Sequence, residues 1–380
     1  MWFLRQFPLA WRMLADRPGR LALSFVGVSF AVVVMFAQLG FLNGITDSSA
    51  NFAGLLHSDL IVVHPRQRHL KSYVEFPLHH LLQVRDVPGV RSALPLYTGA
   101  ASWSNPQSGG RNRVFLIGVD LEDPGVLRVP ELAACRLALH GQDTVLFDRE
   151  VRPELGEVGV NTRSRLNGQP AQVVGLFSLG PNFAYEGNLI MSGPNFLRLY
   201  PQSRGVVGLG MIRVQPGESI ETVRQRIRAR FPTQLEVLTP AEILERERRY
   251  TTDNAPIGIV FGLGLLVGFA IGTVVCYQIL FNEVSDHLPQ FAMLKAVGHL
   301  PRTLTAIVMY EALILSLGGY LAGLAAAFAL YHFLQHQTAL LMVLTPARGG
   351  LVLALTSGMC LLAGRLALKK VQSTDPADLF

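Results

Sequence analysis

The run Leu21–Phe41, LALSFVGVSFAVVVMFAQLGF, carries no charged residue. A helix needs about 20 apolar residues to cross the hydrocarbon core of a bilayer, and this run supplies them. It is longer than the about 7–15 residues of a signal-peptide core, and no small-residue cleavage site clearly follows it. It is therefore expected to be a retained span, residues 21–43. Three further runs share its character. Pro256–Phe281 is uncharged, Thr303–Tyr331 holds one acid, Glu311, and Gly349–Leu368 has Arg365 near its end, where it can snorkel to the interface. Thr338–Pro346, TALLMVLTP, is apolar but too short to span; in a short loop, 332–348, it reads as a segment that lies at the outer interface or packs against helix ends.

Composition supports this division. Half of the 380 residues are hydrophobic and 16% are charged, against about 25% in soluble domains. The deficit lies in two blocks, one near the N-terminus and one after residue 255, and the stretch between them has ordinary soluble composition. The expected fold is a membrane protein: four transmembrane α-helices with a large α+β extracytoplasmic domain, 44–255, inserted between helices 1 and 2. The net charge of +6 comes from many arginines and only four lysines; basic residues flanking apolar helices are what topology requires and do not point to nucleic acid.

Orientation follows the basic residues of the short segments. Arg5, Arg12, Arg17 and Arg20 lie in the amphipathic segment 1–20. Lys295 and Arg302 lie in the loop 282–302. Arg365, Lys369 and Lys370 mark the end of the last span and the tail 369–380, whereas the loop 332–348 has only Arg348. Both termini and the 282–302 loop are then cytoplasmic. The large domain is outside, periplasmic in a bacterium with two membranes, and the chain is a multi-pass inner-membrane protein.

In the second span, 256–281, glycines recur at four-residue spacing: Gly258 and Gly262, then Gly264, Gly268 and Gly272. Small residues at that spacing let helix backbones approach closely in lipid. Packing between two copies of the chain and packing within one chain are equally open. Glu311 is the one acid inside a span, about two turns into its helix and within reach of the interface; a structural or coupling role is the hypothesis it carries.

The 44–255 segment needs its own core. Strand-like runs recur at Leu60–Val63, Val114–Val119, Thr144–Phe147, Gln172–Leu176 and Gly210–Val214, with turn signals such as Pro88-Gly89 and Asn167-Gly168 between them. Pro77–Val84 reads as a helix leading to a strand at Val90. Ser219–Phe231 reads as a helix with Ile220, Val223, Ile227 and Phe231 on one face and Arg224, Arg226, Arg228 and Arg230 on a solvated one. Pro240 opens an Arg- and Glu-rich helix, 241–250, that reads as a stalk running to the second span.

Chemistry is scarce. None of the four lysines follows a glycine, so the phosphate-cradling G-x-x-x-x-G-K-[ST] is absent. Any ATP and Mg must be bound by a separate subunit, and the chain itself is expected to be neither an enzyme nor a cofactor protein. His79-His80 lacks a third ligand, since neighbours on a helix point apart. There is no G-x-S-x-G or H-E-x-x-H. Cys276 and Cys360 fall in spans, leaving Cys135 alone in the domain, so no disulfide framework or paired-Cys metal motif is expected.

The loop 282–302, NEVSDHLPQFAMLKAVGHLPR, contains a short helix opened by Pro289 and closed by Gly298, with Phe291, Leu294 and Val297 on one face and Lys295 on another. Its apolar face needs a cover, either the membrane surface or a groove on a partner. This segment, with Arg302 and Tyr310-Glu311-Ala312, resembles the signature of FtsX/MacB-type ABC permeases. The wording from Val284 through Gly298 is most similar to DevC-type permeases of DevBCA exporters, and Asp375-Pro376-Ala377-Asp378 is similar to the Asp-Pro tail of that family. The layout of one helix, a large domain and three helices agrees over the whole chain. One departure stands at Leu288, Pro289 and Gln290, where many relatives carry an Arg-Glu pair. It puts in doubt the ion pairs made there with an ATPase.

The resemblance implies a homodimer with two DevA-like ABC ATPase subunits beneath it. Pro289, Phe291, Leu294, Lys295, Val297 and Gly298 would form the coupling helix. It implies a periplasmic membrane-fusion adaptor of the DevB/HlyD type and an outer-membrane TolC-like channel. ATP-driven closure of the cytoplasmic ends would be passed by mechanotransmission to the periplasmic domain, exporting glycolipid or other envelope material. The same architecture also serves FtsX-like signalling to a periplasmic hydrolase and lipoprotein release. A membrane-anchored enzyme is the remaining alternative.

Overall fold

The computed structural model describes residues 11, 12, 14, 16, 18–70, 72, 74–180, 184–250, 256–287, 301–338 and 342–372. The chain divides into two compact units. The first comprises 1–43, 257–334 and 342–380, and the second 44–256 with 335–341.

The first unit holds the long apolar helices. α1 is Pro18–Leu55. The other three are α8 Pro256–Asp286, α9 Pro301–Thr338 and α10 Pro346–Gln372, with the six shorter helices α2 to α7 lying in the second unit. Within them four stretches are long and apolar enough to cross a membrane: Pro18–Ser48, Gly258–Asp286, Thr305–Gln335 and Pro346–Lys369. In lipid a spanning backbone must satisfy itself, which a continuous helix does. All four helices outrun their apolar windows. α1 continues past Asn43, because TDSSANFAGL contains no proline to stop it. α9 runs through His332 to Thr338, so part of the stretch 332–348 is helical. α10 begins at Pro346, in the first-turn position that proline favours, and Thr345 Oγ1 accepts a hydrogen bond from the Arg348 amide.

The second unit is built on one nine-stranded mixed sheet. Its strands are β1 Leu60–Val63, β3 Val90–Ser104, β4 Arg111–Val119, β5 Thr144–Asp148, β6 Arg163–Leu166, β7 Gln169–Phe177, β8 Gly187–Ser192, β10 Leu209–Val214 and β11 Glu236–Leu238, in the order β11-β1-β10-β3-β4-β8-β5-β7-β6. β2 Phe76–Pro77 and β9 Val206–Val207 pair separately. The helices are α2 Leu78–Arg85, α3 Pro130–Ala134, α4 Arg136–Leu139, α5 Gly193–Leu199, α6 Ile220–Arg230 and α7 Pro240–Arg249. β4 with β8 and β5 with β7 are parallel, while β3 with β4 and β6 with β7 are antiparallel.

The sheet does not stay open. β6 returns to β3 at Trp103↔Leu166, so β3, β4, β8, β5, β7 and β6 close into a barrel. β3 is 15 residues long and belongs both to the barrel and to the flat wing of β10, β1 and β11. Trp103, Val114, Val145, Phe147, Leu166, Val173 and Leu189 fill the barrel interior. On the opposite face Phe115, Ile117, Leu146 and Ile190 pack with Phe52, Ala53 and Leu56 at the end of α1; Phe52 meets Phe115 edge-on at 5.1 Å. Gly118 lets α5 lie on the sheet, since a Cβ there would meet the Phe196 Cβ at 2.7 Å.

Asp148, fully buried at the end of β5, ties this core together. It accepts hydrogen bonds from the Leu179 and Gly180 amides, the Glu150 amide and Asn188 Nδ2. Burial pushes its carboxyl above the ordinary value, against the pull of those bonds.

Two sequence readings change. The arginines of α6 are not a purely solvated face. Arg224 donates to the Val237 carbonyl and pairs with Glu242, Arg228 donates to the same carbonyl, and Arg226 bonds the Pro88 carbonyl and Glu218. Arginine's long stem and forked head reach carbonyls that a shorter side chain would miss. Ile220, at the start of that helix, is exposed, while Val223, Ile227 and Phe231 are buried. Secondly, α7 is not a free stalk. A capping box of Thr239 and Glu242 starts it. Ile243 and Glu247, one turn apart, both turn inward, and Glu247 accepts from the Leu70 amide at 2.6 Å. Arg246 bonds Glu236 and the Gln67 carbonyl.

Candidate functional site

The site is the group of helix ends that border residues 288–300. Pro289, Phe291, Leu294, Lys295, Val297 and Gly298 themselves lie outside the described residues. What is described is the frame on either side of them. α8 turns polar at its end, at Glu283 and Asp286, with His287 directly after it. Glu283 and His287, four residues apart, pair at 3.2 Å. Asp286 pairs with Arg20 in the first turn of α1. Each charge stands at the unfavourable end of its own helix dipole, an acid at a C-terminus and a base at an N-terminus, and the pairing offsets both.

Glu311 follows on α9. The sequence places it within reach of the interface; the structure buries it completely. Neither carboxylate oxygen has a hydrogen-bond partner among the described residues. Val284, Ile307, Val308 and Leu368 form the apolar cluster at this end of the helices. An acid buried without partners in a span is costly, which marks Glu311 as a candidate for a structural or coupling role.

The glycines of α8 divide. Added Cβ atoms would meet Gln38 at Gly264, Met35 and Val34 at Gly268, and Ala31 and Met359 at Gly272, so these three pack within the chain, chiefly on α1. Gly262 has open space beside it. A second glycine row that the sequence reading missed lies on α9: Gly318 backs onto Phe25, Gly319 onto Val28 and Gly323 onto Val32. α1 is thus held between two small-residue seams. The four-residue step from Gly319 to Gly323 was the available signal.

Interhelical polar ties complete the unit. Ser316 and Ser357 hydrogen bond at 3.0 Å, and the Tyr331 hydroxyl donates to the Phe36 carbonyl. Cys276 and Cys360 bring their Sγ atoms to 3.3 Å between α8 and α10. The membrane-permeant oxidant diamide is expected to take two electrons and two protons from this pair, leaving an intramolecular disulfide. Peptide mapping by mass spectrometry should find the Cys276–Cys360 cross-link and a still-alkylatable Cys135. Separate alkylation of both span cysteines after oxidation would refute the contact.

The comparisons with known proteins decide what kind of frame this is. Residues 21–230 match the MacB-like periplasmic core domain, and residues 260–376 match the FtsX-like permease C-terminal family. The chain belongs to the MacB/FtsX-like permeases. This permease is therefore a multi-pass transmembrane subunit of the kind that works with an ABC ATPase, and its second unit is a periplasmic domain between helix 1 and the later helices. Among solved structures, the periplasmic region of MacB from Actinobacillus actinomycetemcomitans is 10% identical with a TM-score of 0.37, covering 50% of the permease and 93% of that chain. The extracellular domain of the noncanonic ABC-type transporter YknZ from Gram-positive bacteria is 10% identical with a TM-score of 0.35, covering 48% and 100%. No curated protein matches.

Proposed function

We propose that this permease is the membrane subunit of a MacB-like exporter of the DevC type, moving glycolipid or other envelope material outward. It works as a homodimer in the inner membrane with both termini cytoplasmic. A DevA-like ATPase binds ATP and Mg beneath it. A DevB/HlyD-like adaptor and a TolC-like channel continue the path outward. The observation that carries this reading is the apolar-faced segment 289–298 between two spans, inside the FtsX-like match, in a chain with no phosphate-cradling loop of its own. The frame beside it supports the reading: the Arg20–Asp286 pair links the start of α1 to the end of α8 next to this segment, Glu283 and His287 pair within that end of α8, and Glu311 follows it as a buried coupling acid. α1 passes unbroken into residues that pack in the periplasmic core, a mechanical element suited to transmitting ATP-driven closure.

Phe291→Asp and Leu294→Asp place a carboxylate on the face meant for the ATPase groove. Each is expected to weaken ATPase association by about 10-fold or more, since burying an unpaired charge costs several kcal/mol. Transport coupled to hydrolysis should fall with it, while the chain stays folded in the membrane. Pull-down and reconstituted transport measure both. Intact binding with coupled transport in both variants would remove the coupling role from this segment.

A further inference from the structure

The barrel of the periplasmic unit carries a feature that its permease role does not use. β4 opens Arg111-Asn112-Arg113, and β6 opens Arg163-Ser164-Arg165. Strand residues two apart share a face, and on β4 and β6 the inward positions are taken by Val114 and Leu166, which belong to the barrel core. All four arginines are therefore on the outer wall, and all four are exposed.

Register brings them together. Arg111 stands opposite Ser104 and Arg113 opposite Ser102. β3 meets β6 antiparallel at Trp103↔Leu166, which sets Arg165 opposite Ser104 on the other side. The result is two arginine columns about 10 Å apart, two strand spacings, with about 6.8 Å between successive arginines in each column. Half-buried Ser104 lies between Arg111 and Arg165, half-buried Ser102 lies between Arg113 and Asn167, and Arg163 extends the second column past the end of β3.

The patch is uncompensated. Among the described residues none of the four arginines is in an ion pair. Arg113 lies over the Tyr185 ring, 5.5 Å to its centre. Glu186, whose amide bonds the Arg113 carbonyl, makes no ion pair with it. The turn nearest the strand ends meets them through the Glu154 and Glu157 carbonyls, bonded by Asn112 and Gln107 side chains. Farther along the same face, Phe115 and Ile117 are covered by the end of α1, so the basic wall begins where that cover ends.

We propose that this wall docks an extended acidic segment of a protein partner. Two observations select that occupant. Alternate carboxylates on an extended chain repeat at about 6.8 Å, the spacing within each arginine column. Beyond that, a surface that enters a bilayer pairs basic with large apolar side chains, and none of the exposed large apolar residues lies on β3, β4 or β6. The serines offer hydroxyls to a peptide backbone. The inference does not depend on the cargo that the permease moves or on the ATPase contact.

The test uses the full chain in nanodiscs of neutral lipid and a fluorescent ten-residue peptide of alternating Glu and Thr, read by anisotropy at low and high salt. Replacing Arg111, Arg113, Arg163 and Arg165 by Gln should weaken binding by about 10-fold or more, as the sum of four exposed charge contacts, and should flatten the salt dependence. A second variant with Arg66, Arg91, Arg204 and Arg230 changed to Gln removes the same charge from elsewhere on the unit's exposed surface and should bind as the parent does. Equal loss in both variants, or equal binding of a Gln-Thr peptide, would overturn the proposal. So would capture of phosphatidylglycerol vesicles by the parent, lost in the first variant, without peptide binding: the wall would then be a membrane-facing surface.

Discussion

Replacing Trp103 by Ala is expected to destabilise the periplasmic unit by about 3–5 kcal/mol, the range for emptying a large aromatic site in a packed core. Trp103 is fully buried. It sits at the register point where β6 closes on β3, and its ring lies 5.0 Å from Phe147. Its indole Nε1 has no hydrogen-bond partner among the described residues, so the loss is one of packing. It should also be local at first, loosening the barrel seam before the flat wing of β10, β1 and β11. Hydrogen exchange on the full chain in detergent can resolve this. Amides of β3 and β6 should exchange faster by about two orders of magnitude or more, whereas Leu137→Ala, at a site 88% exposed, should change nothing. Equal protection in Trp103→Ala and the parent would mean that the barrel is not closed through this residue.

Gly323→Leu should damage the membrane unit as severely as any single change there. A Cβ at Gly323 would lie 2.6 Å from Val32 Cβ and 3.1 Å from the Ser29 carbonyl oxygen, closer than side chains approach. The next seam position, Gly319, faces Val28 in the same crowded way. Lipid gives apolar helices no hydrophobic reason to associate, so close packing carries the contact, and overfilling it costs about 1–3 kcal/mol or more. Thermal unfolding in detergent should fall by several degrees, about what such a loss produces in a unit of this size. Gly262→Leu is the matched control, because the space beside Gly262 is open within the chain. A parent-like melting curve for Gly323→Leu would remove the α1–α9 seam.

How legible was this molecule in its sequence? The spans were, because a bilayer imposes one length and one polarity on any helix that crosses it. Their ends were less so: residues 44–55 are polar enough to leave lipid, yet nothing in them breaks a helix, and burial of Phe52 and Leu56 holds the extension. In the periplasmic unit, short apolar strands such as Leu60–Val63 announced themselves. β8, GNLIMS, did not, since it is buried throughout and lacks alternation. Barrel closure was beyond reach, because one pairing between residues 63 positions apart decides it. The arginines of α6 were misread for a related reason: their acceptors, such as the Val237 carbonyl, are supplied by the tertiary fold. At the candidate site, charge pattern pointed to Glu311 but not to its full burial, and the glycine seam of α9 passed unnoticed beside the longer glycine run of α8.

The central claim is that this chain moves only when a separate ATPase engages it through residues 289–298. Affinity purification of the intact, tagged chain from native membranes, followed by identification of bound proteins, tests it most directly. The account predicts an ABC ATPase recovered with the parent chain and lost with Leu294→Asp, while the variant remains folded and membrane-inserted. Recovery of the chain without any ATPase, or equal recovery with parent and variant, would contradict it.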